Sequence, residues 1–150
     1  MEITLRKDPD PETDFYYRHQ FEIYHEPYLF WDYSTWESVL TTSDVYRIEV
    51  NGTYAGNVIL EDRGKGAKYI ADFSLLPEFR GQGIGKAVLK RTKMMAKKLT
   101  AFTRMETVGF YLKSGFVLKR TMRNYFSPGV DRYYVECDIT EGLPKDPYLP

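Results

Sequence analysis

Residues 2–6, EITLR, alternate polar and apolar side chains, the period of a half-buried strand. Asp10-Pro11-Glu12 then offers a capping side chain, a proline suited to the first helical position and a first-turn acid. The helix it opens carries Phe15, Tyr16, His19, Ile23 and Tyr24, and must stop near Glu26-Pro27. Ser34-Thr35-Trp36-Glu37 has capping-box spacing and predicts a second helix to about Thr42. Two strands follow over 45–50 and 54–61, joined by Asn51-Gly52, a dipeptide that accepts the left-handed residues of a tight hairpin. Arg63-Gly64-Lys65-Gly66 turns the chain into a third strand over 68–76, which Pro77 closes.

Residues 84–98 read as an amphipathic helix. Ile84, Ala87, Val88, Met94 and Met95 form one stripe, and Lys86, Lys90, Lys93 and Lys97 face elsewhere. A short apolar piece at 99–103 precedes Thr103-Arg104-Met105-Glu106, a second capping-box pattern, whose helix ends at Gly115. Strands over 116–126 and 132–139 flank the turn Ser127-Pro128-Gly129-Val130. The segment 141–150 holds three prolines and is expected to be an extended or docked tail beyond a domain of residues 1–140. The order β-α-α-β-β-β-α-β-α-β-β predicts an α/β (α+β) fold with a mixed sheet and helices packed on it.

Composition narrows the class. A chain of 150 residues with 43% hydrophobic and 16% aromatic side chains can bury a core and is not disordered. No apolar run approaches the ~18–20 residues of a membrane span, so no membrane partner is expected. The first twelve residues lack an apolar signal core and Cys137 is the single cysteine, both of which fit a cytoplasmic location. With only His19 and His25 available, no metal site is expected. The formal net charge is zero, yet residues 1–75 hold 14 acids and 7 bases, and residues 76–150 the reverse. Either the two halves offer one surface to a cation and another to an anion, or they interleave and the fields cancel.

The segment with chemical content is Asp72-Phe73-Ser74-Leu75-Leu76-Pro77-Glu78-Phe79-Arg80-Gly81-Gln82-Gly83-Ile84-Gly85-Lys86. Glycines at 81, 83 and 85 let consecutive N–H groups turn toward one point at a helix N-terminus, a cradle for a pyrophosphate. Arg80 and Lys86 add positive charge at its rim. Neither common phosphate loop fits. A Walker loop would need glycine where Arg80 stands and Ser or Thr where Ala87 stands. A dinucleotide fingerprint would need glycine three residues after Gly83, where Lys86 lies.

Arg80, Gly83 and Gly85, inside LLPEFRGQGIGKAVL, match the Arg/Gln-x-x-Gly-x-Gly/Ala hallmark of the Gcn5-related N-acetyltransferases, and Phe110-Tyr111-Leu112-Lys113-Ser114-Gly115-Phe116 is similar to their second motif. The resemblance is strong over 70–118 and implies a mixed, mostly antiparallel central sheet with helices on both faces. It implies acetyl-CoA as cosubstrate, bound by main-chain groups of Phe73, Ser74 and Leu75 along the pantetheine arm and by Arg80, Gly81, Gln82, Gly83, Ile84, Gly85 and Lys86 at the pyrophosphate, with Lys113 beside them. It also implies a fourth strand that a bulge splays from the fifth, and direct attack by a primary amine of a small molecule or peptide. Tyr111 takes the family's general-acid position; the residue itself also reads as a core tyrosine beside Phe110. Asp72, Glu49 and Glu61 lie on neighbouring strands as candidates for the base, with Asp72 put forward and His25 a weaker choice. Cys137 reads as a buried hydrophobe. By the same resemblance, the first two helices and last hairpin recognise the acceptor, so the aromatics of 24–36 face either an acceptor or the core. The alternative function is an acyl-CoA-binding sensor or regulatory module without turnover. No nucleic-acid partner is expected, and a homodimer stays open.

Overall fold

The computed structural model describes residues 1–139; the expected tail over 141–150 lies outside them. The chain runs β1 (Ile3–Lys7), α1 (Thr13–Ile23), α2 (Tyr33–Thr42), β2 (Asp44–Val50), β3 (Thr53–Gly64), β4 (Ala67–Leu75), α3 (Ile84–Lys93), β5 (Lys98–Thr103), α4 (Met105–Lys113), β6 (Val117–Ser127) and β7 (Val130–Asp138). The strands form one sheet in the order β1-β2-β3-β4-β5-β7-β6. Every pairing is antiparallel except β4 with β5, which α3 makes possible by carrying the chain back across the sheet. The β2–β3 turn is as expected: Asn51 and Gly52 both have positive φ, at 51° and 81°.

Helices cover both faces. Ile84, Val88 and Leu89 of α3 and Tyr111 of α4 join Ile48, Val58, Leu60, Leu99 and Val135 in the larger core. Tyr16 of α1 and Trp36 and Leu40 of α2 pack with Val45 and Ile59 on the opposite face. Each such aliphatic side chain contributes about 1.5–3 kcal/mol on burial. Gln20 has no place in an apolar stripe yet is fully buried. Its amide donates to the Trp31 carbonyl and accepts from the Trp31 N–H, both at 2.9 Å, and so ties α1 to the segment before α2.

The helix boundaries differ from the sequence expectations, each for a local reason. Helix α1 starts at Thr13 with Glu12 at its N-cap and no side-chain cap, so Asp10 and Pro11 stay outside it. Helix α2 is capped two residues earlier than expected, by Asp32, whose carboxylate accepts the Thr35 N–H at 2.8 Å. The Thr103–Glu106 box does not form; Thr103 instead bonds the Thr107 hydroxyl, and Arg104 occupies the N-cap. Helix α3 ends at Lys93, not 98, because Lys98 already pairs with Ala67 and Asp138 in the sheet. Met94 consequently leaves the predicted apolar stripe and stands 84% exposed.

The two halves of the chain interleave: α3, with Lys86, Lys90, Arg91 and Lys93, packs over the β1 end of the sheet, where Arg91 donates to the Ile3 carbonyl. Within this sheet Gly56 of β3 faces the one position where a side chain is excluded: a Cβ there would lie 2.0 Å from the Ser74 carbonyl oxygen. Since backbone must move, Gly56→Ala should lose about 3 kcal/mol or more. Thermal melting should show a Tm roughly 10 °C lower; an unchanged Tm would contradict this packing.

Candidate active site

A single extra residue opens the sheet. Ile59 of β3 pairs with Asp72 while the next residue, Leu60, pairs with Ile70, which leaves Ala71 as a bulge in β4. The parallel ladder between β4 and β5 stops at Ile70 opposite Ala101. Beyond that rung the two strands diverge around a cavity of about 250 Å³. Ala71, Asp72 and Phe73 of β4, Phe102 and Thr103 of β5 and Phe110 and Tyr111 of α4 line one part of it; Tyr24, Trp31, Trp36 and Arg132 close the other.

Asp72 is the polar centre of this cavity. One carboxylate oxygen accepts the Tyr24 hydroxyl at 2.6 Å, and the other accepts Ser74 Oγ at 2.9 Å and Asn57 Nδ2 at 3.5 Å. Asn57 is in turn held by the Tyr54 hydroxyl, which donates to its Oδ1 at 2.6 Å. Burial raises the Asp72 pKa above the usual carboxylate range, against the lowering effect of the Tyr24, Ser74 and Asn57 hydrogen bonds. Tyr111 is buried and packs edge-on against Phe110 and Phe116, yet its hydroxyl makes no hydrogen bond among the described residues. Burial first, and the nearby Asp72 charge second, push its pKa up. Tyr24 responds in the same way, to burial and then to Asp72. Both phenols are therefore protonated at neutral pH. Trp36 contributes a buried indole N–H with no partner among the described residues.

The glycine loop follows the end of β4 and leads into α3. Gly81 and Gly83 have φ of 73° and 80°, which only glycine adopts at low cost, and Gly83 is the N-cap of α3. From Gly81 through Lys86, none of the six consecutive N–H groups bonds an acceptor among the described residues; the first intrahelical bond is from Ala87 to the Gly83 carbonyl. Gly85 has ordinary helical geometry, and a Cβ there would be 3.6 Å from the Phe110 ring and 3.7 Å from Leu75. The two sequence motifs thus meet in space.

The structure brings some predicted residues together and separates others. Leu76 donates its N–H to the Ala55 carbonyl, so strand alternation turns the main-chain groups of Ser74 toward β3 and those of Phe73 and Leu75 toward the opening. Ser74 joins the site through its hydroxyl instead. Arg80 is a brace: its guanidinium donates to the carbonyls of Leu75 and Ile23 and holds the loop to the end of α1. Gln82 and Lys86 are exposed beside the open N–H groups, and Lys113 is exposed at the end of α4. Of the three candidate acids only Asp72 reaches the cavity, since Glu49 pairs with Arg6 and Glu61 with Arg63 on the surface. His25 is exposed and His19 bonds the Phe15 carbonyl. Cys137 is opposite Leu99, two residues before the last β4–β5 rung, and is buried in the larger core without lining the cavity. Tyr24, Asn57 and Arg132 had no local motif to mark them. The described residues include no group of three or more metal-ligating side chains and no helix long and apolar enough to cross a membrane.

Known proteins resemble this arrangement. A family model described as an Acetyltransferase (GNAT) domain matches residues 41–118. Among solved structures, a ribosomal-protein-S18-alanine N-acetyltransferase from Escherichia coli superposes with a TM-score of 0.79 at 17% identity, over 99% of each chain. A GNAT family acetyltransferase from Elizabethkingia anophelis with acetyl-CoA bound gives 0.70 at 19% identity, over 91% of this chain and 97% of that one. A spermidine N-acetyltransferase chimera that includes Vibrio cholerae sequence gives 0.75 at 16% identity, over 97% and 100%. At these identities the likeness establishes the fold. No functionally curated protein matches the sequence.

The raised Asp72 pKa fixes the sign of a pH effect. Above its folded pKa the buried carboxylate is ionised at a cost to the fold, and that cost is relieved as pH falls through the folded pKa. Asp72→Asn carries no such cost. The Tm difference, variant minus wild type, should therefore shrink as pH is lowered from 7 toward about 4; a difference that widens would mean that Asp72 is stabilised as the anion.

Proposed function

The chain belongs to the GNAT acetyltransferase domain family, and from that premise we propose that it transfers the acetyl group of acetyl-CoA to a primary amine of a small molecule or peptide. The observation that carries this reading is the row of six unpaired N–H groups at the mouth of α3, next to a cavity that holds a buried carboxylate and an unbonded phenol. Such a row fits a pyrophosphate: the donors are consecutive at a helix N-terminus, the helix dipole has the right sign, and Gly85 adds no side chain to the approach. The pantetheine arm would lie against Phe73 and Leu75, whose main-chain groups face the opening. The Leu75 carbonyl is already held by Arg80, so the Phe73 N–H and C=O and the Leu75 N–H are the groups left for the thioester and the oxyanion that forms from it.

The acceptor enters as an ammonium and needs a base. Asp72 takes that proton, and Tyr24 can relay it, because its hydroxyl both lines the cavity and donates to Asp72. The free amine attacks the thioester carbon, the C–N bond forms, and collapse of the tetrahedral intermediate breaks the C–S bond. Tyr111 gives its proton to the departing thiolate, whose thiol has a pKa near ~8.5. The two proton transfers are coupled. The Asp72 charge helps to hold the Tyr111 proton in place, and protonating Asp72 loosens it when the thiolate needs it. The second nitrogen proton returns to the phenolate through solvent, so amide, thiol and one released proton balance the reaction. No covalent acyl-enzyme is required, in keeping with the position of Cys137.

Two variants test the assignment. Tyr111→Phe keeps the ring against Phe110 and Phe116 and removes a hydroxyl that makes no hydrogen bond among the described residues, so stability should stay within about 1 kcal/mol of wild type. Turnover measured as thiol release should fall by about 10²–10⁴-fold with acetyl-CoA affinity unchanged; more than a third of wild-type turnover would remove Tyr111 from the mechanism. For the cradle, Gly85→Ala is cleaner than any change at Gly83, where positive φ would strain the fold. An alanine in the first turn of α3 should raise stability by about 0.5–1 kcal/mol while its Cβ weakens acetyl-CoA binding. Calorimetry and melting on one sample should show the two quantities moving in opposite directions.

A further inference from the structure

On the face of β5 opposite α3 and α4, three aromatic rings stand in a row across neighbouring strands. Tyr69 of β4 is 6.0 Å from Phe102 of β5, and Phe102 is 5.0 Å from Tyr134 of β7. Each ring carries an arginine. Arg63 lies 4.7 Å from the centre of Tyr69, Arg132 lies 3.8 Å from Phe102, and Arg120 lies 5.7 Å from Tyr134. Arg132 is held from a second side by Tyr125 at 4.6 Å. A guanidinium stacked on a ring keeps its plane fixed and leaves its N–H edges free, the arrangement that grips a carboxylate with two parallel bonds.

The row is the floor of a groove of about 650 Å³ that Lys98 and Lys119 also line. Only two of these cations are answered by acids, Arg63 by Glu61 and Lys98 by Glu136. Arg120, Arg132 and Lys119 make no ion pair among the described residues. The groove adjoins the catalytic cavity, because Tyr69 and Phe102 belong to the walls of both; Arg132, stacked on Phe102, lines the cavity.

We propose that the acceptor is a peptide whose free N-terminal amine enters the cavity and whose next residues are acidic, read by the arginine-capped row Tyr69–Phe102–Tyr134. This rests on the amine-acetylation reading above and narrows its substrate class. Size argues for a peptide: a small amine would fill the cavity of about 250 Å³ and leave the larger groove unused. An extended chain advances about 3.3 Å per residue, so with its amine at Asp72 the second and third residues pass over the row. Charge argues for acidic side chains, since Arg63, Lys98, Lys119 and Arg120 line the groove and no acid among the described residues does. Nucleic acid fits less well, because the ring faces that bases would stack on are already covered by guanidinium groups.

The test uses three hexapeptides with a free N-terminal glycine that differ only at the second and third residues: two glutamates, two glutamines or two lysines. With the full chain and acetyl-CoA, thiol release should give kcat/KM about tenfold higher for the glutamate peptide than for the glutamine peptide, and lower still for the lysine peptide. Arg120→Gln, an exposed change on an edge strand, should cut the glutamate-to-glutamine ratio about threefold, and Arg120→Gln with Arg132→Gln should bring it near one. Salt should erode the ratio in the wild type. A wild-type ratio of one or less, with glutamine peptides turned over, overturns the proposal and leaves the amine-acetylation reading standing. Direct binding of the labelled glutamate and glutamine peptides, followed by fluorescence anisotropy, separates the two ideas. Preferential binding of the glutamate peptide without thiol release would support the surface and sink the enzymatic reading. Equal binding of both peptides, or tighter binding of a single-stranded RNA than of the glutamate peptide, would overturn the surface.

Discussion

The site depends on where the β4–β5 ladder ends. Parallel strands normally zip along their whole shared length, because each missed rung leaves an N–H and a C=O to be satisfied elsewhere. Here the bulge at Ala71 changes the direction of β4 just after Ile70, and β5 cannot follow. The freed edge of β4 does not become a liability, since it lies inside the molecule and is walled by α4 and the aromatic segment before α2. One unpaired residue thus makes a cavity, turns a main-chain edge of β4 toward it, and sets Asp72 inside it.

Placing a carboxylate there is costly, and the surroundings offset the cost. Tyr24, Ser74 and Asn57 each give Asp72 a hydrogen bond, and Tyr54 fixes Asn57 so that its amide points the right way. These donors come from α1, β3 and β4, which explains why the same network also holds the helix layer to the sheet. Burial raises the pKa of both Tyr24 and Tyr111, and the buried anion, in direct contact with Tyr24 and close to Tyr111, raises them further.

Local chemistry in the chain was legible; long-range geometry was not. The alternating glycines after a strand, the Asn51-Gly52 hairpin and the order of elements follow from turn chemistry and periodicity, and each occurs where it was expected. Capping was less readable. Asp32, Ser34 and Thr35 could each cap α2, and the one that does, Asp32, follows the Trp31 that Gln20 holds from eleven residues away in sequence. The end of α3 was set by strand pairing, a tertiary demand that outweighs the helix-forming run of lysines and methionines. In the site, Asp72 and Tyr111 could be proposed from strand and motif position. Tyr24, 48 residues from its partner, could not, and neither could Arg132. Arg80 shows the limit of motif reading: its place in the pattern is right, but its guanidinium is spent on the carbonyls of Leu75 and Ile23.

The acidic and basic halves of the chain interleave in the fold. Helix α3, which carries Lys86, Lys90, Arg91 and Lys93, packs over the β1 end of the sheet, where Arg91 donates to the Ile3 carbonyl. The separation of charge is local to the cleft: Asp72 and Arg132 both line the cavity, and Arg63, Lys98, Lys119 and Arg120 line the neighbouring groove. Under the proposed reading, an acceptor with a positive amine at its head and negative groups behind it would lie along that arrangement with its own dipole favourably placed. A polyamine, positive throughout, would leave the Arg120 and Arg132 side chains facing like charge.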